Sequence, residues 1–244
     1  MSRFFTDPNN IKDQYIYLDK KEDLHHITKV LRLKEGDQVD ISDGAHWEYQ
    51  GIIEDLSPVL ATVRIVDKQA FAREPNLKVT LFQGIPKAGK MDTIIQKNVE
   101  EGVFAIVPVF MDRTVVVDKG NFQKKIDRWQ KISDEAVKQC KRGIIPQISE
   151  PVKFDQAAKL MEDFDLVLFP YENETGRTIK DALLDVKAVE TVAIVIGPEG
   201  GFSHREAEVL KEMGAETVSL GKTILRTETA GLVALAMTMY QLEL

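Results

Sequence analysis

The chain has almost no cysteine: Cys140 stands alone among 244 residues, so no internal disulfide can form, and no Cys/His cluster with zinc spacing occurs. Neither metal nor redox chemistry is expected. Long hydrophobic runs are also missing, none reaching the roughly 18 uncharged apolar residues of a membrane-spanning helix. The N-terminal MSRFFTDPNN has no apolar core of the kind a secretory signal carries, and the expectation is a cytoplasmic protein with no membrane contact. Positive charge is in short supply as well. Lys and Arg total 32 against 39 Asp and Glu, a net charge of −7 that at first disfavours a nucleic-acid partner, because phosphate binding needs local cations to displace counterions. The deficit is uneven. Residues 1–75 carry 10 basic and 14 acidic side chains, residues 76–150 carry 13 and 9, and residues 151–244 carry 9 and 16. A basic middle on an acidic background can present one positive face, although a solvated helix surface gives a similar count.

What is present reads as ordinary globular sequence, 43% apolar and 29% charged, and long enough for two domains. Between Asp37 and Ala72 the short segments QVDISDG, WEYQGIIEDL and ATVRIVDKQA, with turns at Asp43-Gly44 and Ser57-Pro58, predict a small barrel or sandwich. One short helix is predicted from Asp23 to Leu33, where Leu24, Ile27, Val30 and Leu31 fall at helical spacing. Arg73-Glu74-Pro75-Asn76 reads as a linker between a domain over 1–72 and another over 77–244. Beyond it the apolar strands LKVTLFQG, FAIVPVFM, FDLVLFPY, TVAIVIG and ETVSLG alternate with helices near Lys90–Glu101, Phe122–Cys140, Thr178–Leu184, Ser203–Met213 and Glu228–Leu242. Such alternation belongs to an α/β domain with a mainly parallel sheet.

The most specific feature is Val195-Ile196-Gly197-Pro198-Glu199-Gly200-Gly201-Phe202-Ser203, a buried strand running into a glycine-rich loop and then a helix. Glycines permit positive φ and close approach of a ligand, and Ser203-His204-Arg205-Glu206 is a capping box that fixes the helix start. A phosphate loop offers a lysine or bare backbone N–H groups, whereas here the Glu199 carboxylate stands among the glycines and would repel an anion. A cationic ligand with an adenine for the backbone to grip fits better, as the sulfonium of S-adenosylmethionine would; the alternative is a tight turn whose glycines serve packing alone. The second feature, Ser219 to Ala230, is again a strand, a glycine turn and a helix start, with Thr227 as the expected N-cap. Arg226 lies beside a positively polarised helix end and needs an anionic partner, either substrate or a carboxylate such as Glu199 in a structural salt bridge. The last helix, AGLVALAMTMYQL, is apolar nearly all round, which calls for burial on several sides, by a second subunit or within one large domain; a homodimer is the expectation. Lys138-Gln139-Cys140-Lys141-Arg142, with Lys87, Lys90 and Arg113, offers phosphate contacts, although basic residues at a helix C-terminus also complement its dipole. Cys140 reads as a packing residue, and the adjacent His25 and His26 suit a surface or capping role better than catalysis.

Several stretches carry a resemblance that spans essentially the whole chain: His25-His26 with Val30-Leu31-Arg32-Leu33 and Gly36-Asp37; Gln83-Gly84-Ile85-Pro86-Lys87; Lys90-Met91-Asp92 with Ile95-Gln96-Lys97; Arg113-Thr114-Val115-Val116; Gln139 to Arg142 with Pro146; Pro170-Tyr171-Glu172; Ile196 to Ser203; and Ile224 to Ala230. In these the sequence closely resembles the bacterial 16S ribosomal RNA uridine-N3 methyltransferases of the knotted SPOUT superfamily, the RsmE family. The resemblance implies an N-terminal PUA-like β-barrel for RNA, a C-terminal SPOUT-type α/β domain with a deep trefoil knot, and an obligate two-fold dimer. Periodicity shows nothing of the knot. S-adenosylmethionine is the implied cofactor, without a metal, against Leu168, Phe169, Glu172, Ile196, Gly197, Pro198, Gly200, Gly201, Leu220, Gly221, Ile224 and Leu225. The implied substrate is one uridine, at position 1498, of 16S rRNA in the small ribosomal subunit, with Arg32, Lys87, Lys90, Arg113, Lys138 and Arg142 as RNA contacts. Thr223, where the family pattern has arginine, and Glu101, where it has leucine, are mild departures; the first puts one RNA or cofactor contact in doubt, and Arg226 is intact.

Uridine N3 is a protonated imide at neutral pH, so transfer requires proton removal or stabilisation of the developing anion. Arg226 is expected to hydrogen-bond a uracil carbonyl as its charge grows, with Glu199 or water taking the proton, and the base must leave its stack to enter the site. A nucleotide-dependent enzyme is the first rival, but G-x-G-x-x-G and the P-loop are missing. A non-catalytic RNA-binding factor is the second, and the intact glycine loop with Arg226 speaks against it.

Overall fold

The computed structural model describes residues 3–71, 74–117, 122–184, 186 and 188–243. The chain divides into two compact units, Met1–Glu74 with Val137–Ile145, and Pro75–Ala136 with Pro146–Leu244. Of the expected linker, Glu74 belongs to the first unit and Pro75-Asn76 to the second, while Ala72 and Arg73, at the expected domain boundary, lie outside the described residues.

The first unit is built on one six-stranded sheet. Its strands are β1 (Arg3–Phe5), β2 (Ile11–Lys12), β3 (Tyr15–Leu18), β4 (Gln38–Ser42), β5 (Trp47–Leu56) and β6 (Ala61–Ala70), in the order β1-β4-β5-β6-β3-β2. β1 pairs β4 in parallel and every other pairing is antiparallel. Alternate residues point inward, as a pleated sheet with one wet face requires: Val39 and Ile41, Tyr49 and Ile53, Ala61 and Val63 close over Phe4, Ile16 and Leu18. The helix expected over Asp23–Leu33 is shorter and wound differently. α1 (Lys21–His25) passes into a π-helical turn at His26–Val30, closed by Leu31 N–H donating to His26 O at 2.9 Å, and Arg32 then turns the chain at φ 55°. The wider turn breaks the 3.6-residue register, so Leu24 and Ile27 reach the core while Val30 is left exposed.

Val137–Ile145 completes this unit, a correction to the expected division, which places it with the second domain. The reason is polar. Arg142 is buried and its Nη2 donates to Glu74 Oε2 at 2.8 Å; Gly143 N–H donates to Glu74 Oε1 at 2.6 Å; Ser42 Oγ donates to Gly143 O at 2.6 Å; and Arg3 Nη1 donates to Lys141 O at 2.9 Å. Glu74 therefore anchors a core ion pair rather than lying in a loose linker.

The second unit carries a parallel sheet of β7 (Lys78–Gly84), β8 (Ala105–Phe110), β9 (Gln147–Ile148), β10 (Val152–Lys153), β11 (Leu166–Pro170), β12 (Thr191–Ile196) and β13 (Glu216–Val218). Its order is β10-β8-β7-β12-β11-β13, with β9 beside β8. β9 and β10 occupy one edge of β8 in turn, and Pro151, which has no N–H to donate, lies between them. β12 is flanked by β7 and β11 and covered on both faces, which accounts for its unbroken run Val192 to Ile196. The helices are α2 (Lys90–Glu100), α3 (Gln123–Cys140), α4 (Phe154–Met161), α5 (Ile179–Leu184), α6 (His204–Glu212) and α7 (Thr227–Leu242). α7 packs on β7, β12, α2 and α5 through Gly231, Ala234, Leu235, Thr238 and Met239, while Met237 and Tyr240 remain exposed on its other side.

Candidate functional site

Parallel pairing sends the carboxyl ends of β7, β12, β11 and β13 to one edge of the sheet, side by side in that order. The loops that leave there are Glu172 onward, Gly197–Ser203 and Ser219–Arg226, so the topology brings three separated sequence motifs together at the edge where open α/β sheets bind ligands. Cross-links tie them. Tyr171 N–H donates to Val218 O at 3.0 Å, Ser219 N–H to Arg177 O at 2.8 Å, and the Thr227 hydroxyl to Gly197 O at 2.7 Å.

Local chemistry fixes the glycine-rich loop. Ser203 Oγ accepts from Glu206 N–H and Glu206 Oε2 from Ser203 N–H, the expected capping box, and Glu206 Oε1 also accepts from Asp112 N–H at 2.7 Å. Beneath the loop Phe169 stacks on Tyr171 and meets the edge of Phe202, with ring centroids 5.0 and 4.6 Å apart. Leu168 and Phe169 are fully buried at the end of β11, beneath the loop. Gly201 has φ 66°, and a Cβ there would lie 2.5 Å from Glu172 Oε1; a Cβ on Gly84 would lie 2.6 Å from Pro198 N. The backbone contact at Gly84 and the left-handed φ at Gly201 call for glycine. Ile196 and Pro198 are buried behind the loop, Gly200 faces outward, and Leu220 and Leu225 are half-buried around the exposed Gly221, whose φ is 142°. Ile224 is 82% exposed, an apolar side chain held in solvent at the rim.

Thr227 is not the N-cap of α7. Arg226 holds that position, because the Thr227 hydroxyl is turned inward to donate to Gly197 O and accept from Gln83 Nε2 at 2.9 Å. Arg226 itself is 83% exposed, its Nη1 3.9 Å from Glu228 Oε1. Of the two kinds of partner open to Arg226, substrate or a carboxylate such as Glu199, the Glu199 salt bridge is not formed, and Glu199 is paired otherwise. Lys90 Nζ lies 3.1 Å from Glu199 Oε1 and 3.2 Å from Glu228 Oε2, and Lys87 N–H donates to Glu199 Oε1 at 3.1 Å. Burial raises the Glu199 carboxyl, but its own N–H, the Lys90 ammonium and the Lys87 N–H together hold it below the usual carboxylate range.

The basic residues separate accordingly. Arg113 extends over the loop, with Nη1 donating to Gly200 O at 2.8 Å, and Lys87 is exposed beside it. Lys90 lies between two carboxylates, and Arg142, expected as an RNA contact, is a buried partner of Glu74. Arg32 is exposed and Lys138 half-buried in the first unit. Among the described residues no group of three or more His, Cys, Asp or Glu is placed to hold a metal, and no helix is long and apolar enough to cross a membrane. The roles of Gln83 and Lys90 escape sequence reasoning; the one available signal is Gln83 itself, a polar side chain ending the apolar run Val79 to Phe82.

A family model described as an RNA methyltransferase domain matches residues 73–239, and one described as an RNA methyltransferase PUA domain matches residues 18–66. The chain is 34% identical over 251 aligned positions to ribosomal RNA small subunit methyltransferase E of Bacillus subtilis, covering all of this chain and 98% of the relative. Among solved structures, a ribosomal RNA small subunit methyltransferase E from Neisseria gonorrhoeae bound to S-adenosyl methionine aligns with TM-score 0.85 at 29% identity, over 98% of this chain and 97% of that one. A Legionella pneumophila protein solved with bound SAM aligns with TM-score 0.85 at 33% identity, over 98% and 96%.

Proposed function

The chain belongs to the RNA methyltransferase family, and from that premise we propose that it transfers the methyl group of S-adenosylmethionine to N3 of one uridine, position 1498, of 16S rRNA in the small ribosomal subunit. The observation that carries the reading is the convergence of the Glu172, Gly197–Gly201 and Ser219–Arg226 loops at one sheet edge, cross-linked by Thr227. The residues present fit the cofactor. Gly221, at φ 142° and with no atom within 4 Å of where a Cβ would stand, leaves open space beside the half-buried Leu220 and Leu225, which suits a flat base such as adenine. When bound, S-adenosylmethionine supplies a methyl group on a cationic sulfur.

The protein's own groups divide the remaining work. Arg226, exposed at the positive end of α7, donates to the uracil carbonyl whose charge grows as N3 attacks, which favours the transition state over the ground state. Glu199 is held ionised by Lys90 and two N–H donors and is a weak base, which leaves water to take the imide proton. Arg113 and Lys87 face the RNA backbone from the second unit, and Arg32 and Lys138 from the first.

A PUA-like barrel in the first unit is supported by the family match over 18–66. A deep trefoil knot is supported by the path of α7, which follows β13 at one end of the sheet yet returns to pack on β7 and β12. A homodimer is supported by the exposed outer side of α7 at Met237 and Tyr240, an apolar face that a second copy would cover. The cytoplasm follows from the substrate. Incubating the purified chain with S-adenosylmethionine and small-subunit RNA should yield N3-methyluridine by mass spectrometry. Arg226→Ala should lose that turnover and keep its affinity for S-adenosylhomocysteine; unimpaired turnover would remove Arg226 from the chemistry. A wild-type chain with no affinity for either form of the cofactor would sink the whole reading.

A further inference from the structure

Lys90 stands at the first position of α2, the positively polarised end of a helix, where a cation is disfavoured. It is stabilised there by two carboxylates from different elements, Glu199 of the glycine-rich loop at 3.1 Å and Glu228 of α7 at 3.2 Å. Glu228 Oε2 is shielded from solvent and finds no well-directed hydrogen bond, so the Lys90 ammonium is its compensation. The other oxygen of Glu228 faces Arg226 at 3.9 Å, while Glu199 is also supported by its own N–H and the Lys87 N–H. Asp92, the remaining nearby carboxylate on α2, is taken by Arg128. One ammonium therefore joins the loop that lines the cofactor site to the helix end that bears Arg226.

Resting on the reading of this edge as the methyl-transfer site, we propose that Lys90 is a positioning residue, fixing the glycine-rich loop through Glu199 and Arg226 through Glu228, and that it makes no contact with RNA. A phosphate reaching Lys90 would have to displace two carboxylates that already neutralise it. Only 31% of its side chain is accessible, and what it faces is negative.

Kinetics of Lys90→Met separate this role from an RNA contact. The variant should lower kcat by roughly tenfold to a hundredfold, the scale of a misplaced catalytic group, with the KM for RNA unchanged within about twofold. Lys90→Arg should restore most of kcat. Glu228→Gln, which cuts the Arg226 arm and keeps the Glu199 arm, should also lower kcat while leaving affinity for S-adenosylhomocysteine intact; it is the deciding variant if Lys90→Met does not fold. Lys97→Met, on the same helix and paired with Glu100, is the control for loss of one charge from α2. A raised RNA KM at constant kcat in Lys90→Met, or wild-type kcat in either Lys90→Met or Glu228→Gln, would overturn the proposal. Failure of the wild-type chain to bind S-adenosylhomocysteine would instead condemn the methyl-transfer reading beneath it.

Discussion

Gly84 ends β7 directly against the glycine-rich loop, and an alanine there tests how closely the site depends on that contact. The added Cβ would lie 2.6 Å from Pro198 N, 2.7 Å from Pro198 Cδ and 2.9 Å from the Gly197 carbonyl carbon. These are backbone and ring atoms with no rotamer to escape into. Unstrained carbon contacts begin near about 3.5 Å, so strand and loop must separate by several tenths of an ångström. Overpacking of this kind costs about 1–3 kcal/mol. In a chain of this length a loss of about 2 kcal/mol lowers Tm by roughly 4–8 °C. The loop displacement should also weaken cofactor binding, because the Gly197-Pro198 backbone that moves is part of the loop proposed to line the cofactor site. Differential scanning calorimetry reads the first effect and calorimetric titration with S-adenosylhomocysteine the second. Gly84→Ala melting with wild type and binding the ligand with unchanged Kd would refute the claim that β7 and the Gly197-Pro198 backbone form one rigid wall.

Thr227→Val should cost about 2–4 kcal/mol in urea denaturation, because it leaves Gly197 O and Gln83 Nε2 short of a partner in the core; a loss below about 0.5 kcal/mol would show that the link is dispensable. Glu74→Ala strands the buried Arg142 guanidinium and should destabilise the chain by about 3–5 kcal/mol, whereas an unchanged midpoint would mean that the pair contributes nothing. The Asp112 carboxyl is held below its ordinary range, first by Arg205 and then by Ser203. Its stabilisation is therefore complete above about pH 4 and lost as pH falls through the depressed folded value, so Asp112→Asn should flatten the acid limb of the stability profile; an unaltered limb would contradict this. Tyr240→Glu places a charge on the outer side of α7 and should shift the chain toward monomer in light scattering; a dimer of undiminished mass would place the interface elsewhere.

The parallel sheet and the glycine loop were legible because their signals are local. β12 is an unbroken apolar run and α6 opens on a capping box, both visible in a few adjacent residues. What escaped depends on distant partners. β1 is three residues long and exists as a strand only because β4 pairs with it. β9 and β10 are two residues each, flanked by Pro146 and Pro151, and read as loop until β8 is placed beside them. α4 has Lys153 at its N-cap in place of a Ser, Thr, Asp or Asn, with Gln156 Oε1 accepting the Lys153 N–H. At the site, Thr227 has the composition of an N-cap, and only the neighbouring Gln83 and Gly197 explain why its hydroxyl turns inward. The same holds for Lys90 and Arg142: a lysine and an arginine in a basic stretch look like phosphate ligands until their carboxylates are located.

The first unit is finished by chain that follows most of α3, and this separates the order of synthesis from the order of completion. When Glu74 emerges during translation, Arg142 is still about 70 residues away, a delay of roughly 3–14 s at ordinary elongation rates. During that interval the Glu74 carboxylate, the Ser42 hydroxyl and the Arg3 guanidinium each await a partner that has not been made. The nascent sheet can collapse around Phe4, Ile41 and Val63, but its polar seal closes only after about two-fifths of the second unit has left the exit tunnel.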